Sequence, residues 1–137
     1  MTEMNLKEYW EGSLSIKELV PLLRACRVLG KDSKVEFKVQ MVDSDAPPLE
    51  VTSKHLITLC KAALDGWLKP DDLNTISFIL LFSEHYHWNG NSNDGELVST
   101  TVFDWDAPEV NFPLTNGNIK RWKSYLETGE YNLFDNE

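Results

Sequence analysis

The densest set of residues that could do chemistry lies at positions 83–96, in the run SEHYHWNGNSNDGE. It holds two of the three histidines, and in an extended segment His85 and His87 would share one face. Such imidazoles, joined by a neighbouring carboxylate, are donors that zinc accepts in proteins, but zinc needs three or four of them. The third would have to be His55 or a distant acid, and no spacing requires either. We therefore expect a half-exposed helix end running into a loop, without bound metal or cofactor.

The same two histidines keep a second interpretation open. With a nearby carboxylate, His85 and His87 could serve a small metal-binding or hydrolase domain. This reading stands as the alternative to a binding protein. Elemental analysis of the purified protein separates the two.

A second candidate for chemistry is the acidic run FDWDAPEVNFP, in which Asp104, Asp106 and Glu109 surround Trp105. Paired carboxylates can act as general acid and base when a pocket separates their pKa values. If the segment is a strand, alternation places Asp104 and Asp106 on the same exposed edge. That arrangement favours a solvated contact surface over a catalytic pair.

Motifs for a nucleophile or a phosphate group do not occur in the sequence. Cys26 and Cys60 lie in apolar helical patterns without a histidine signature, which is typical of buried, reduced thiols. There is no G-x-S-x-G, no glycine-rich phosphate loop and no H-E-x-x-H. We therefore expect a protein that is not an enzyme.

The charge distribution indicates a binding role. The net charge is −9, and residues 70–119 carry eight acids and no lysine or arginine. Such a segment repels nucleic acid and anionic lipid, and it attracts a cationic partner. The expected partner is a basic protein, with no nucleic acid and no membrane involved.

Aromatic side chains are interleaved with these acids. Tyr86 and Trp88 could offer large contact areas with a polar tip, as interface residues do. Packing at the edge of the core is the other interpretation for both, and it is favoured for Trp88. The expected partner-binding residues are Glu84, Tyr86, Trp88, Asp94, Glu96, Asp104, Asp106 and Glu109.

The chain that positions these residues is expected to be a single α+β domain over residues 1–137. Its length and 42% hydrophobic content suffice to bury a core without disulfides or metals. No window is long and apolar enough for a transmembrane helix, and no signal-peptide pattern is visible. We therefore expect a cytoplasmic protein.

Hydrophobic periodicity predicts about four helices and a small antiparallel sheet of two or three strands. The predicted helices are 15–29, 53–64, 70–83 and one that begins at Thr115 or Asn116, and the predicted strands are 34–42 and Glu96–Trp105. The segment 70–83 is apolar nearly all round, which is typical of a buried central helix. In the strand 34–42, alternation turns Val35 and Met41 inward.

Two helix corners share one pattern. Gly12–Leu19, GSLSIKEL, and Gly66–Leu73, GWLKPDDL, both match G-x-L-x-x-x-acid-L. The glycine suits the left-handed position after a helix, and the next helix then opens with a cap. Ser15 and Glu18 form a capping box in the first copy, and Pro70 suits a first turn in the second.

One further pattern runs through about residues 50–127. Its residues are His55-Leu56-x-x-Leu59-Cys60, Leu64-x-Gly66-x-Leu68, Asp72-Leu73-x-x-Ile76-x-Phe78, and Trp105-x-x-Pro108-Glu109-x-Asn111-x-Pro113-Leu114-Thr115. With these residues the segment resembles small acidic bacterial proteins of the immunity type, which bind the toxin domain they accompany. The resemblance implies a non-enzymatic inhibitor of a basic, nucleic-acid-degrading toxin domain, and basic character is what nucleic-acid binding requires. A plain protein-interaction domain with another partner is a further alternative.

Overall fold

The structure is a computed structural model that describes residues 1–134. These residues form six α-helices: α1 (Asn5–Trp10), α2 (Ile16–Cys26), α3 (Ser53–Leu64), α4 (Pro70–Phe82), α5 (Asn93–Asp106) and α6 (Asn116–Thr128). Four short strands form two sheets: β1 (Arg27–Leu29) pairs antiparallel with β2 (Val35–Phe37), and β3 (Leu49–Glu50) pairs parallel with β4 (Tyr86–His87). The predicted α+β class is confirmed, with helix predominating. None of the helices described is long and apolar enough to cross a membrane.

The core lies where the four longer C-terminal helices meet. Helix α3 packs on α6, α4 packs on α5, and α5 also contacts α3 and α6. Trp105 of α5 and Trp122 of α6 are fully buried, and their rings meet edge to face at 6.2 Å. The predicted burial of the segment 70–83 is seen at Leu73, Ile76, Ile79 and Leu80.

Both predicted helix corners are confirmed. Gly12 and Gly66 have φ of +89° and +90°, a conformation that a Cβ-bearing residue rarely adopts. In the first corner, the Ser15 hydroxyl accepts the Glu18 N–H, and the Glu18 carboxylate accepts the Ser15 N–H. Helices α2 and α4 therefore begin where the local cap chemistry places them.

The predicted strand Glu96–Trp105 is wrong, because this segment lies within helix α5. Its fully buried residues recur at helical spacing: Val98, Thr101, Val102 and Trp105. The helix is started by Ser92, whose hydroxyl accepts the Gly95 N–H at 2.9 Å. The many β-branched residues favour a strand in isolation, but packing of one helical face against the core outweighs that preference.

The predicted strand 34–42 is also shorter than expected, because only β2 belongs to a ladder. Val35 and Met41, which alternation turned inward, are exposed by 41% and 69%. Beyond β2, Gln40 forms an isolated parallel bridge with Thr2. The segment therefore pairs with the N-terminal residues along part of its length.

The helices before β1 differ from the prediction. The predicted helix 15–29 is shorter, because its last residues form β1. Pro21 lies inside α2 without ending it, and the short helix α1 was not predicted. Helix α3 spans the predicted residues 53–64, and Thr52 is its N-cap.

Candidate functional site

Asp104 is not on an exposed edge, and the expectation that it is exposed was wrong. Its side chain is buried because it points into the interface of α5 and α6. One carboxylate oxygen, Oδ2, accepts the Trp122 Nε1–H at 3.0 Å and the Tyr131 hydroxyl at 2.5 Å. Burial, and then the bond to this carboxylate, raise the pKa of Tyr131. Asp104 therefore holds the C-terminal segment to the core.

Tyr86 is also buried, contrary to the expectation of an exposed aromatic. Its hydroxyl donates to the backbone carbonyl of Glu3 and accepts the Lys7 N–H at 3.0 Å. Burial raises the pKa of Tyr86 well above its usual range. The ring therefore anchors the N-terminal segment and offers no surface to a partner.

Five of the eight predicted residues are exposed: Glu84, Asp94, Glu96, Asp106 and Glu109. Trp88 is partly buried and packs on the core, in agreement with the core-edge interpretation. Asp94 and Asp106 lie at opposite ends of α5, about 18 Å apart at a rise of about 1.5 Å per residue. Partial burial, and then the charge of Glu109, raise the pKa of Asp106. The predicted residues therefore do not form one continuous face.

Two further acids of the 70–119 segment are paired with arginines from the first half of the chain. The Asp72 carboxylate lies 3.4 Å from the Arg24 guanidinium, and that of Asp71 lies 3.6 Å from Arg27. Asp72 also accepts the Lys69 N–H at 2.8 Å and so caps α4. These two carboxylates stabilise helix packing and add little to the outer field.

Acidic side chains do gather along the parallel pair β3–β4. In this pair, Glu50 lies opposite His87, and both side chains are exposed. A cleft opens at each end of the pair, and the exposed acids beside the clefts are Asp43, Glu50, Glu84 and Asp94. These four residues are called the acidic strip below. Among the described residues, no lysine or arginine lines either cleft.

The larger cleft, of about 440 Å³, lies before β4 and has Glu3 and His85 in its wall. The Glu3 carboxylate is only 3% exposed, and its Oε2 accepts the Val42 N–H at 2.8 Å. The Nε2 of His85 lies 2.8 Å from the Val42 carbonyl and 3.4 Å from that same Oε2. Since a carbonyl can only accept, Nε2 must carry the proton. We call this space the Glu3 cleft.

The smaller cleft, of about 60 Å³, lies beyond the other end of the pair. Its wall includes Trp88 and Asp94. The Asp94 carboxylate accepts the Ser53 N–H at 3.0 Å and the Ser53 hydroxyl at 2.5 Å. Because Ser53 is the first residue of α3, Asp94 both contributes to the strip and stabilises that helix start.

The histidines do not come together as metal ligands. His85 is engaged by Val42 and Glu3, and His87 is exposed on β4. His55 accepts the Thr52 N–H through Nδ1 at 2.9 Å, and burial lowers its pKa while the Asp94 charge partly offsets the effect. Within residues 1–134, no group of three or more His, Cys, Asp or Glu side chains could hold a metal ion.

Three acids of the site were not predicted: Glu3, Asp43 and Glu50. Asp43 could have been noticed in the loop DSDAPP, which turn chemistry places at the surface. Glu3 carries no local signal, because its partners lie far away in the chain.

No family model, curated protein or solved structure matched the chain.

Proposed function

We propose that this chain is a non-enzymatic binding protein, an immunity-type inhibitor that neutralises a basic, nucleic-acid-degrading toxin domain in the bacterial cytoplasm. The observation that carries the proposal is the acidic strip, whose two clefts contain five carboxylates and no lysine or arginine among the described residues. A surface of this composition attracts a basic protein and speeds its association.

The proposal uses only part of the face that the sequence predicted. Glu84, Asp94 and Trp88 remain in the contact region, because they line the two clefts. Asp106 and Glu109 are exposed at and beyond the far end of α5 and contribute only at longer range, while Glu96, exposed in the first turn of α5, lines neither cleft. At physiological ionic strength their field falls off within about 8 Å. The contact itself is therefore assigned to the acidic strip.

The test uses the purified product of the gene next to that of this chain as the candidate partner. We expect binding that weakens steeply as salt is raised, because exposed charges supply the attraction. In the double variant Glu50→Gln/Glu84→Gln, affinity should fall roughly 5–30-fold, at about 0.5–1 kcal/mol per charge. Isothermal titration calorimetry at two salt concentrations gives both quantities.

The matched control removes the same charge at the far end of α5, in the variant Asp106→Asn/Glu109→Gln. Its affinity should stay within about twofold of the unaltered protein, because these side chains lie beyond the screening distance from the strip. Salt-independent binding, or an equal loss in both double variants, would refute the proposed contact.

A further inference from the structure

The wall of the Glu3 cleft combines two kinds of surface. Glu84 and Asp43 place carboxylates at its rim, and both residues are exposed. Met41 and Phe82 add apolar surface, with exposed fractions of 69% and 41%. A group that fits both surfaces must carry a positive charge on a long apolar stem.

The carboxylate of Glu3 adds a negatively charged group to the wall of the cleft. Its Oε2 is occupied by the Val42 N–H and approached by His85, but among the described residues its Oε1 accepts no hydrogen bond. This oxygen is not fully enclosed by the protein and is in contact with solvent at the cleft. Since Glu3 lines the cleft, Oε1 is the atom left for a donor that enters from outside.

His85 does not supply that donor. Its Nε2–H already points at the Val42 carbonyl at 2.8 Å, so the 3.4 Å approach to Glu3 is a weaker second contact to Oε2. No lysine or arginine of the described chain lines the cleft. A cation that binds here must therefore come from another molecule.

We propose that the Glu3 cleft is the receptor for an arginine side chain presented by the basic partner, an inference that rests on the proposed function. The guanidinium group donates to Oε1 of Glu3 and to the rim carboxylates, because its five N–H donors form a planar fork suited to carboxylates. Its flat face packs on the Phe82 ring, and its stem covers Met41. A lysine ammonium is a compact point charge and lacks the flat face.

The test titrates the full chain with N-acetyl-arginine-N-methylamide and follows backbone amide signals by NMR. Saturable shifts are expected near Val42, Ser44, Glu84 and His85, with a Kd on the order of millimolar for so small a probe. The corresponding lysine probe should bind at least about threefold more weakly, because it cannot stack on a ring or bind a carboxylate through two parallel bonds. The uncharged citrulline probe, which keeps the shape, should produce no saturable shift.

Substitutions in the cleft identify the side chains that bind the arginine probe. Glu3→Gln should weaken arginine binding about tenfold through loss of a charge-assisted bond, and Glu84→Gln about two- to fivefold. The matched control Glu36→Gln removes an exposed charge outside the cleft and should change nothing. Phe82→Leu keeps an apolar wall on a half-exposed side chain, so the fold should persist while the preference for arginine over lysine narrows.

The outcomes separate this inference from the proposed function. An arginine probe that binds no better than citrulline, or equally well to Glu3→Gln and Glu84→Gln, overturns the arginine receptor even if the partner binds the acidic strip. Arginine binding in the cleft without any toxin-domain partner leaves the receptor standing and removes the proposed function. Concentration-dependent dimerisation that is lost in Glu84→Gln also overturns the assignment, because a second copy would then occupy the cleft.

Discussion

Two buried carboxylates have very different surroundings. Asp104 lies between α5 and α6, and Glu3 lies beside β4. Asp104 receives donors from two side chains of the same chain, the Trp122 indole and the Tyr131 hydroxyl. Glu3 receives one backbone N–H on Oε2 and lines an open cleft, whereas Asp104 lies between two packed helices; in both residues the second oxygen accepts no hydrogen bond from the described residues. Both residues are less than a tenth exposed.

A fold can use the same chemical group for stability in one place and for recognition in another. A buried carboxylate whose donors all come from the fold ties its elements together, since each bond to a charged group is worth about 1.5–3 kcal/mol. A carboxylate with one oxygen held by the fold and the other open to a cleft is pre-arranged for an external donor, because its position is already fixed. Removing the Asp104 carboxylate should therefore mainly affect unfolding, and removing the Glu3 carboxylate charge should mainly affect binding.

The largest effect on stability is expected for Asp104→Ala. The substitution leaves the Trp122 N–H and the Tyr131 hydroxyl without their acceptor, so the free energy of unfolding should fall by about 3 kcal/mol. Urea denaturation followed by tryptophan fluorescence measures it. The neighbouring change Asp106→Ala, on an exposed side chain, should stay within about 0.5 kcal/mol. A loss below about 1 kcal/mol for Asp104→Ala would show that the two buried carboxylates do not differ in this way.

A smaller difference in stability should separate the two tyrosines that are hydrogen-bonded to these residues. Tyr131 donates to the Asp104 carboxylate, and Tyr86 donates to the Glu3 backbone carbonyl. Tyr86→Phe removes a buried hydroxyl that both donates and accepts, so we expect a loss of about 2 kcal/mol. Tyr131→Phe removes one donor at a half-buried position and should lower the free energy of unfolding by about 1 kcal/mol. The pair is compared by urea denaturation, and the reverse order would contradict the burial argument.

The smallest effect is a pH dependence near the N-terminal segment, where His55 packs 4.8 Å from the Trp10 ring. Burial lowers the pKa of His55 in the folded protein, so the unfolded chain takes up the proton first as pH falls below about 6.5. The contribution of His55 is therefore present above that pH and is lost as pH falls toward the lower folded pKa. Protonation also removes the Nδ1 acceptor of the Thr52 N–H, and the loss should be below about 1 kcal/mol.

The His55→Gln variant isolates this contribution. Glutamine can accept the same capping bond but does not titrate, so the drop in the free energy of unfolding from about pH 8 to about pH 5 should be smaller than in the unaltered protein. The other two histidines remain in both proteins and cancel in the comparison. An equal drop in the two proteins would exclude His55 as the source.

Local chemistry allowed the sequence to predict the helix corners correctly. The positive φ at Gly66 and the Ser15 capping box depend only on residues within one turn of each other. The start of α6 was predicted at Thr115 or Asn116 for the same reason: the helix begins at Asn116, and the hydroxyl of its N-cap Thr115 accepts the Asn118 N–H. Helix α5 was missed because β-branched composition conceals a helical face that only packing reveals.

The site was only partly predictable, because burial depends on contacts between distant residues. Tyr86 and Glu3 are 83 positions apart, and no local pattern signals their hydrogen bond. Asp104 looked exposed only because its segment was read as a strand. The exposed position of Glu84 was predictable, since it follows a helix end and precedes a turn-forming tract.

The double role of Asp94 decides how an alanine scan of the acidic strip must be interpreted. This carboxylate reaches across 41 positions to the first residue of α3, so truncating it disturbs a helix start as well as an outer charge. A large loss of affinity in Asp94→Ala would combine two effects: reorganisation of the free protein and loss of the contact with the partner. Among the described residues, neither Glu50 nor Glu84 caps a helix in this way, so these two are the interpretable positions in such a scan.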